Sequence, residues 1–115
     1  MIAVFNMDKV DGGWIGVDLD GVLAHYDGFK GNTVIGEPIR PMIAFVKSLL
    51  KRGEIVKIFT SRAEAGKEAV DAIKAWLIKN GLPPLEVTNV KDHRMILAYD
   101  DRSRRVQTNT GRILS

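Results

Sequence analysis

The sequence predicts an α/β fold, a mostly parallel sheet wrapped by helices. Three observations carry the prediction. Short β-branched apolar runs alternate with segments of helical apolar spacing in the order β-α-β-α-β-turn-β, the pattern of crossovers that join parallel strands. A chain of 115 residues suits a single domain with one core. The longest apolar runs are about five residues, against the roughly 20 that a membrane helix needs, so no membrane partner is expected.

The first strand is expected over residues 14–19 (WIGVDL), an apolar run ending in acid and glycine. Pro41 suits the first turn of a helix. Met42, Phe45, Val46, Leu49 and Leu50 then recur at i, i+3, i+4, i+7 and i+8, and Gly53 closes the helix as a left-handed cap. Residues 55–59 (IVKIF) read as the second strand. From 63 to 80 the spacing of Ala69, Val70, Ile73, Trp76 and Leu77 predicts one continuous helix, ended by Gly81. After Pro83 and Pro84 come a third strand at 85–88 and a fourth at 95–99 (MILAY), with a last edge strand at 106–108. An N-terminal edge strand is expected within 1–13, from residues 2–5. No repeat or linker divides the chain, so 1–115 reads as one domain.

Composition narrows the chemistry. Cysteine is absent, which removes disulfides, thiolate nucleophiles and cysteine-based metal sites. His25 and His93 are the only histidines; they read as polar surface residues, and two cannot make a three-histidine zinc site. The N-terminal stretch is too short in apolar residues for a signal peptide, and a cytoplasmic location is the expectation. The net charge of +3 lies wholly in residues 91–115, where Lys91, Arg94, Arg102, Arg104, Arg105 and Arg112 face Asp92, Asp100 and Asp101. A basic final quarter suits a phosphate-bearing ligand, or merely a solvated surface.

The polar residues fall at the ends of the expected strands. The first ends in Asp18 and Asp20, the second in Thr60, Ser61 and Arg62; Lys91 follows the third, and the fourth ends in Asp100 and Asp101. In a parallel sheet all these ends share one edge, where ligands bind. Carboxylates gathered there repel one another unless a cation intervenes, and Mg²⁺ with oxygen ligands fits that need. Without cysteine, a carboxylate is the best nucleophile available. Residues i and i+2 of a strand share a face, so Asp18 and Asp20 can act together, one attacking phosphorus and the other moving protons.

These residues carry a resemblance. VDLDGVL (17–23) resembles the first motif of the haloacid dehalogenase (HAD) superfamily of phosphohydrolases. IFTSR (58–62) resembles the second, Lys91 the lysine of the third, and ILAYDD (96–101) the acidic fourth. The stretch IGEPIRPM (35–42) is similar to the run into the first helix of small bacterial and phage-encoded members. The resemblance spans about residues 14–111. It implies a Rossmann-like three-layer α/β/α sandwich, with strand order 3-2-1-4 and a fifth strand beyond the fourth. It implies a Mg²⁺-dependent phosphatase working through an aspartyl phosphate. Asp18 would be nucleophile and metal ligand, and Asp20 general acid/base with its carbonyl on the metal. Thr60, Ser61, Arg62 and Lys91 would bind the substrate phosphate, Arg94 being the alternative to Lys91. Asp100 would ligate Mg²⁺, with Asp101 a direct or water-mediated ligand.

The spacing leaves no room for a cap domain; residues 22–36 can form only a flap or loop near the site. An open site suits a polynucleotide end, or a small phosphate ester with closure supplied by a second copy in a homo-oligomer. The rival reading is a non-catalytic phosphate- or nucleic-acid-binding module on the same fold.

Overall fold

The computed structural model describes residues 12–114. The N-terminal edge strand expected from residues 2–5 lies outside the described residues. Four parallel strands form the sheet: β1 (Trp14–Val17), β2 (Ile55–Phe59), β3 (Val87–Thr88) and β4 (Met95–Tyr99), in spatial order β3-β2-β1-β4. Helix α1 (Arg40–Lys51) joins β1 to β2, and α2 (Lys67–Lys79) joins β2 to β3. The sheet is parallel as the spacing predicts, and its order is the one the resemblance implies. No helix among the described residues is long and apolar enough to cross a membrane.

Both crossovers carry the chain in one direction across the sheet, and crossovers of one hand put their helices on one face. The packing agrees. Ile15 and Val17 of β1, with Val56 and Ile58 of β2, share one apolar cluster with Ile43, Val46 and Leu49 of α1 and Ile73 and Leu77 of α2. The face of α1 is centred on Ile43, Val46 and Leu49, while Met42, Phe45 and Leu50 flank it half-buried. The other face of the sheet carries Trp14 and Phe59, whose rings meet edge-on at 6.2 Å. Residues 89–94 run from β3 to β4 there: the Trp14 indole N–H donates to Asp92 Oδ1 (2.9 Å), and the Trp14 amide donates to the Arg94 carbonyl (2.9 Å). The described residues therefore supply two layers of the expected three, with this segment in place of a third helical layer.

Three expectations are corrected. The helix expected over 63–80 is interrupted: a 3₁₀ turn, Ser61–Ala65, precedes Gly66, whose φ of +102° suits glycine and breaks the ladder before α2 begins. The third strand is two residues long, not four. The last edge strand does not extend the sheet. Instead β5 (Arg105–Val106) pairs antiparallel with β6 (Ile113–Leu114) in a separate hairpin. Its residues are nearly all exposed, Val106 at 52% and Ile113 at 70% among them, so the hairpin stands off the main sheet instead of packing onto its edge.

Candidate active site

The DLDG turn begins where β1 ends. The Asp18 amide donates to the Tyr99 carbonyl at 3.0 Å, tying the ends of β1 and β4 together. Leu19, Leu23 and Ala24 are fully buried, anchoring a turn in which the amides of residues 22–24 all donate to the Leu19 carbonyl. Burying Leu19 turns the aspartates on either side of it toward one cavity of about 550 Å³. Gly21 closes the turn with φ +86°, and a Cβ there would collide with the Asp101 carboxylate. Only glycine lets the backbone approach that acid so closely.

Carboxylate oxygens of Asp18, Asp100 and Asp101 lie within 4.8 Å of one another. This acidic triad could hold a metal ion. Burial pushes the Asp18 carboxyl up to about 6; the nearby charges of Asp100, Asp101 and Asp20 add to the rise, and the Leu19 amide, donating at 2.8 Å, opposes it. A cation among the three would reverse that balance. Asp100 also accepts from the Arg102 amide at 2.7 Å, which fixes its rotamer at the end of β4.

Thr60 follows β2, and its amide donates to the Thr88 carbonyl at 2.9 Å. The side chain is buried at the cavity wall, where its hydroxyl oxygen accepts from the Arg62 amide at 3.2 Å and starts the 3₁₀ turn. A hydroxyl that accepts once still has its proton to donate to a ligand. Ser61 is exposed on the same wall.

Arg62 has a different task from the expected one. Its guanidinium is buried and grips both Asp20 oxygens, Nε to Oδ2 at 2.8 Å and Nη2 to Oδ1 at 3.0 Å. Its Nη1 donates to the carbonyls of Gly31 and Asn32 at 3.2 Å each. With four of its five N–H donors spent on the protein, Arg62 ties the flap to the DLDG turn and has no free pair to fork onto a phosphate. The flap itself is pinched at its base, where Ala24 bridges Pro38 and the His25 amide donates to the Glu37 carbonyl at 2.8 Å. From α2, the Trp76 indole donates to the Gly36 carbonyl at 3.0 Å.

Arg62→Met leaves Asp20 without its partner and frees the flap. Breaking a buried pair on one side costs about 3–5 kcal/mol, and Asp20 is part-exposed, so we expect a loss near the lower figure. Denaturant unfolding measures it, and limited proteolysis should cut faster between residues 28 and 34. An Arg62→Met protein as stable and as resistant as wild type would contradict the clamp.

Lys91 is exposed and does not line the cavity, and neither does Arg94, whose carbonyl serves Trp14 instead. In this stretch Asp92 and the Arg94 carbonyl bond to Trp14, while Asn89 at its start stays on the cavity wall. The residues that do line the cavity and were not assigned to it include Asn89, Glu64 and Tyr26, and the cation at its edge is Arg102. Arg102 directly follows the acidic pair, a position where the sequence leaves both a solvated surface and a substrate contact open. Compared with protein-family models, curated proteins and solved structures, the chain gives no match.

Proposed function

We propose that the chain is a Mg²⁺-dependent phosphohydrolase of the HAD type, cleaving a phosphomonoester through an aspartyl phosphate. What carries the reading is the convergence of Asp18, Asp100 and Asp101 from two strand ends, with Thr60 on the wall of the same cavity. Three carboxylates are hard oxygen donors suited to Mg²⁺, which when bound would offset charge on the phosphoryl oxygens.

The chain's own residues then divide the work. An Asp18 oxygen bonds to phosphorus as the ester P–O bond breaks, and the departing oxygen takes a proton from Asp20. Water then bonds to phosphorus, the acyl P–O bond breaks, and Asp20 receives the water's proton. Thr60 and Arg102 donate to the phosphoryl oxygens. For Asp20 to carry a proton, Arg62 must release one of its two contacts. That clamp is also the observation favouring the second reading, a non-catalytic phosphate- or nucleic-acid-binding module, since a carboxylate held in a bidentate pair serves structure.

Phosphate release from p-nitrophenyl phosphate and from 3′- or 5′-phosphorylated oligonucleotides, with and without Mg²⁺, tests the reading. Metal-dependent release supports it. Oligonucleotide binding that weakens steeply with salt, without turnover of any ester, would replace it with the second.

The metal makes a separate prediction. Mg²⁺ should raise the melting temperature, by about 2.7 kcal/mol of stability at a hundredfold excess over Kd. Asp100→Asn should remove most of that gain. Calorimetry in Mg²⁺ and in chelator measures both, and an undiminished Mg²⁺ response in Asp100→Asn would take Asp100 out of the site.

A further inference from the structure

A second, smaller cavity of about 230 Å³ adjoins the acidic one. Asp20, Tyr26, Ser61 and Glu64 line both. Its outer wall is the flap, which brings Phe29 and Asn32 to it. Two large rings stand open to solvent here, Tyr26 at 40% and Phe29 at 62% exposure. Phe29 is not loose: the Arg62 guanidinium lies 5.8 Å from its ring centroid, within the range of a cation–π contact. Arg62 is held by the Gly31 and Asn32 carbonyls as well as by Asp20, so the ring keeps its base when one Asp20 contact is released. Around the rings, the Tyr26 hydroxyl, the Asn32 amide, the Ser61 hydroxyl and the Glu64 carboxylate have no hydrogen-bond or ion-pair partner among the described residues.

We infer that the smaller cavity receives the leaving group of the substrate, and that this group carries a planar heteroaromatic ring, the base of a nucleotide. The inference rests on the phosphohydrolase reading for the position of the phosphate. A sugar phosphate without a base has no face to lay on Tyr26 or Phe29. A purely hydrocarbon group would bury the Asn32 amide and the Glu64 carboxylate against nothing that hydrogen-bonds, which is costly. A nucleobase meets both demands: every base has a π-face, and its edge offers donors and acceptors to Asn32 and Glu64. Residues shared by the two cavities, Asp20 and Ser61 among them, would face the ribose between phosphate and base. The chemistry is common to a free nucleotide and to the phosphorylated end of a polynucleotide.

Isothermal titration of the wild-type protein in Mg²⁺ with adenosine 5′-monophosphate and with ribose 5-phosphate tests the subsite without requiring turnover. The nucleotide should bind at least about fivefold more tightly, the lower end of what stacking one base supplies. Phe29→Ala and Tyr26→Ala, both at exposed positions that the fold can spare, should collapse that preference. Equal affinity for the two ligands would overturn the inference, as would a preference that survives both substitutions. A preference for the nucleotide with no hydrolysis of any ester would uphold the subsite and sink the phosphohydrolase reading instead. Hydrolysis with no base preference would do the reverse. A 5′-phosphorylated oligonucleotide separates the two sources. Tighter binding than the mononucleotide, reduced by Arg104→Ala with Arg105→Ala, assigns a polynucleotide end; weaker or equal binding assigns a free nucleotide, and either upholds the subsite.

Discussion

Asp18→Asn is expected to abolish turnover while stabilising the metal-free protein. The loss follows from the role proposed for it: a carboxamide is a poor nucleophile, and no cysteine exists to replace the carboxylate. Rapid acid quench with intact-protein mass spectrometry should show a phosphate-sized adduct on the wild type and none on the variant. An undiminished adduct in Asp18→Asn would move the nucleophile elsewhere. The gain in stability follows from the raised carboxyl, pushed from 3.8 to about 6 by burial and then by its acidic neighbours. The folded state holds the Asp18 proton more tightly than the unfolded chain does. Its contribution to stability is therefore complete below pH 3.8 and is lost as pH rises through about 6. At pH 7.5 without metal the charged group opposes folding, and asparagine removes that opposition. At a half-buried site, after solvent screening, the gain is roughly 1–2 kcal/mol. Urea unfolding in chelator, repeated at pH 5 and pH 7.5, should show the gain growing with pH. With Mg²⁺ present the difference should reverse, because the carboxylate is a far stronger ligand for the ion than the neutral carboxamide.

Asp20→Asn should slow turnover by about 10²–10⁴-fold, the usual span of general acid–base catalysis. The loss should be smaller for p-nitrophenyl phosphate, whose leaving group departs without a proton. Since the first step then survives and hydrolysis of the acyl phosphate lags, the phosphoenzyme should accumulate and be seen in the same quench. Asparagine keeps one oxygen for Arg62, so the fold should persist, at some cost in the Nε and Nη2 contacts. A variant that turns over like wild type would leave Asp20 as a purely structural partner of Arg62.

The parts of this molecule that local physics determines were readable from the chain. The four strands of the sheet and both helices announce themselves through apolar spacing, proline and glycine. Asp18 stands out because a carboxylate inside an apolar run needs a reason. What could not be read depends on residues far apart in sequence. Arg62 looks like a phosphate ligand at the end of β2 until Asp20 and the flap carbonyls, thirty or more positions away, are seen to occupy it. Lys91 follows the third strand as expected, yet the crossing to β4 is drawn to Trp14 by Asp92 and leaves the lysine outside. Gly66 hides because the apolar period begins only at Ala69 and does not mark where the helix starts.

The pinched base of the flap has a practical consequence for changing what this protein accepts. Both ends of the 25–36 segment are held together by the Ala24–Pro38 bridge and the His25–Glu37 hydrogen bond, so the segment's length is set independently of the sheet. Doubling the length of such a loop costs only about 0.6 kcal/mol in closure entropy. Gly28 lies in open space with φ +129°, upstream of the Gly31 carbonyl that Arg62 holds. A grafted hairpin or small helical lid at Gly28 would therefore sit over the mouth of the site while Arg62 kept its grip. That position is the natural port for library-based redesign of substrate scope.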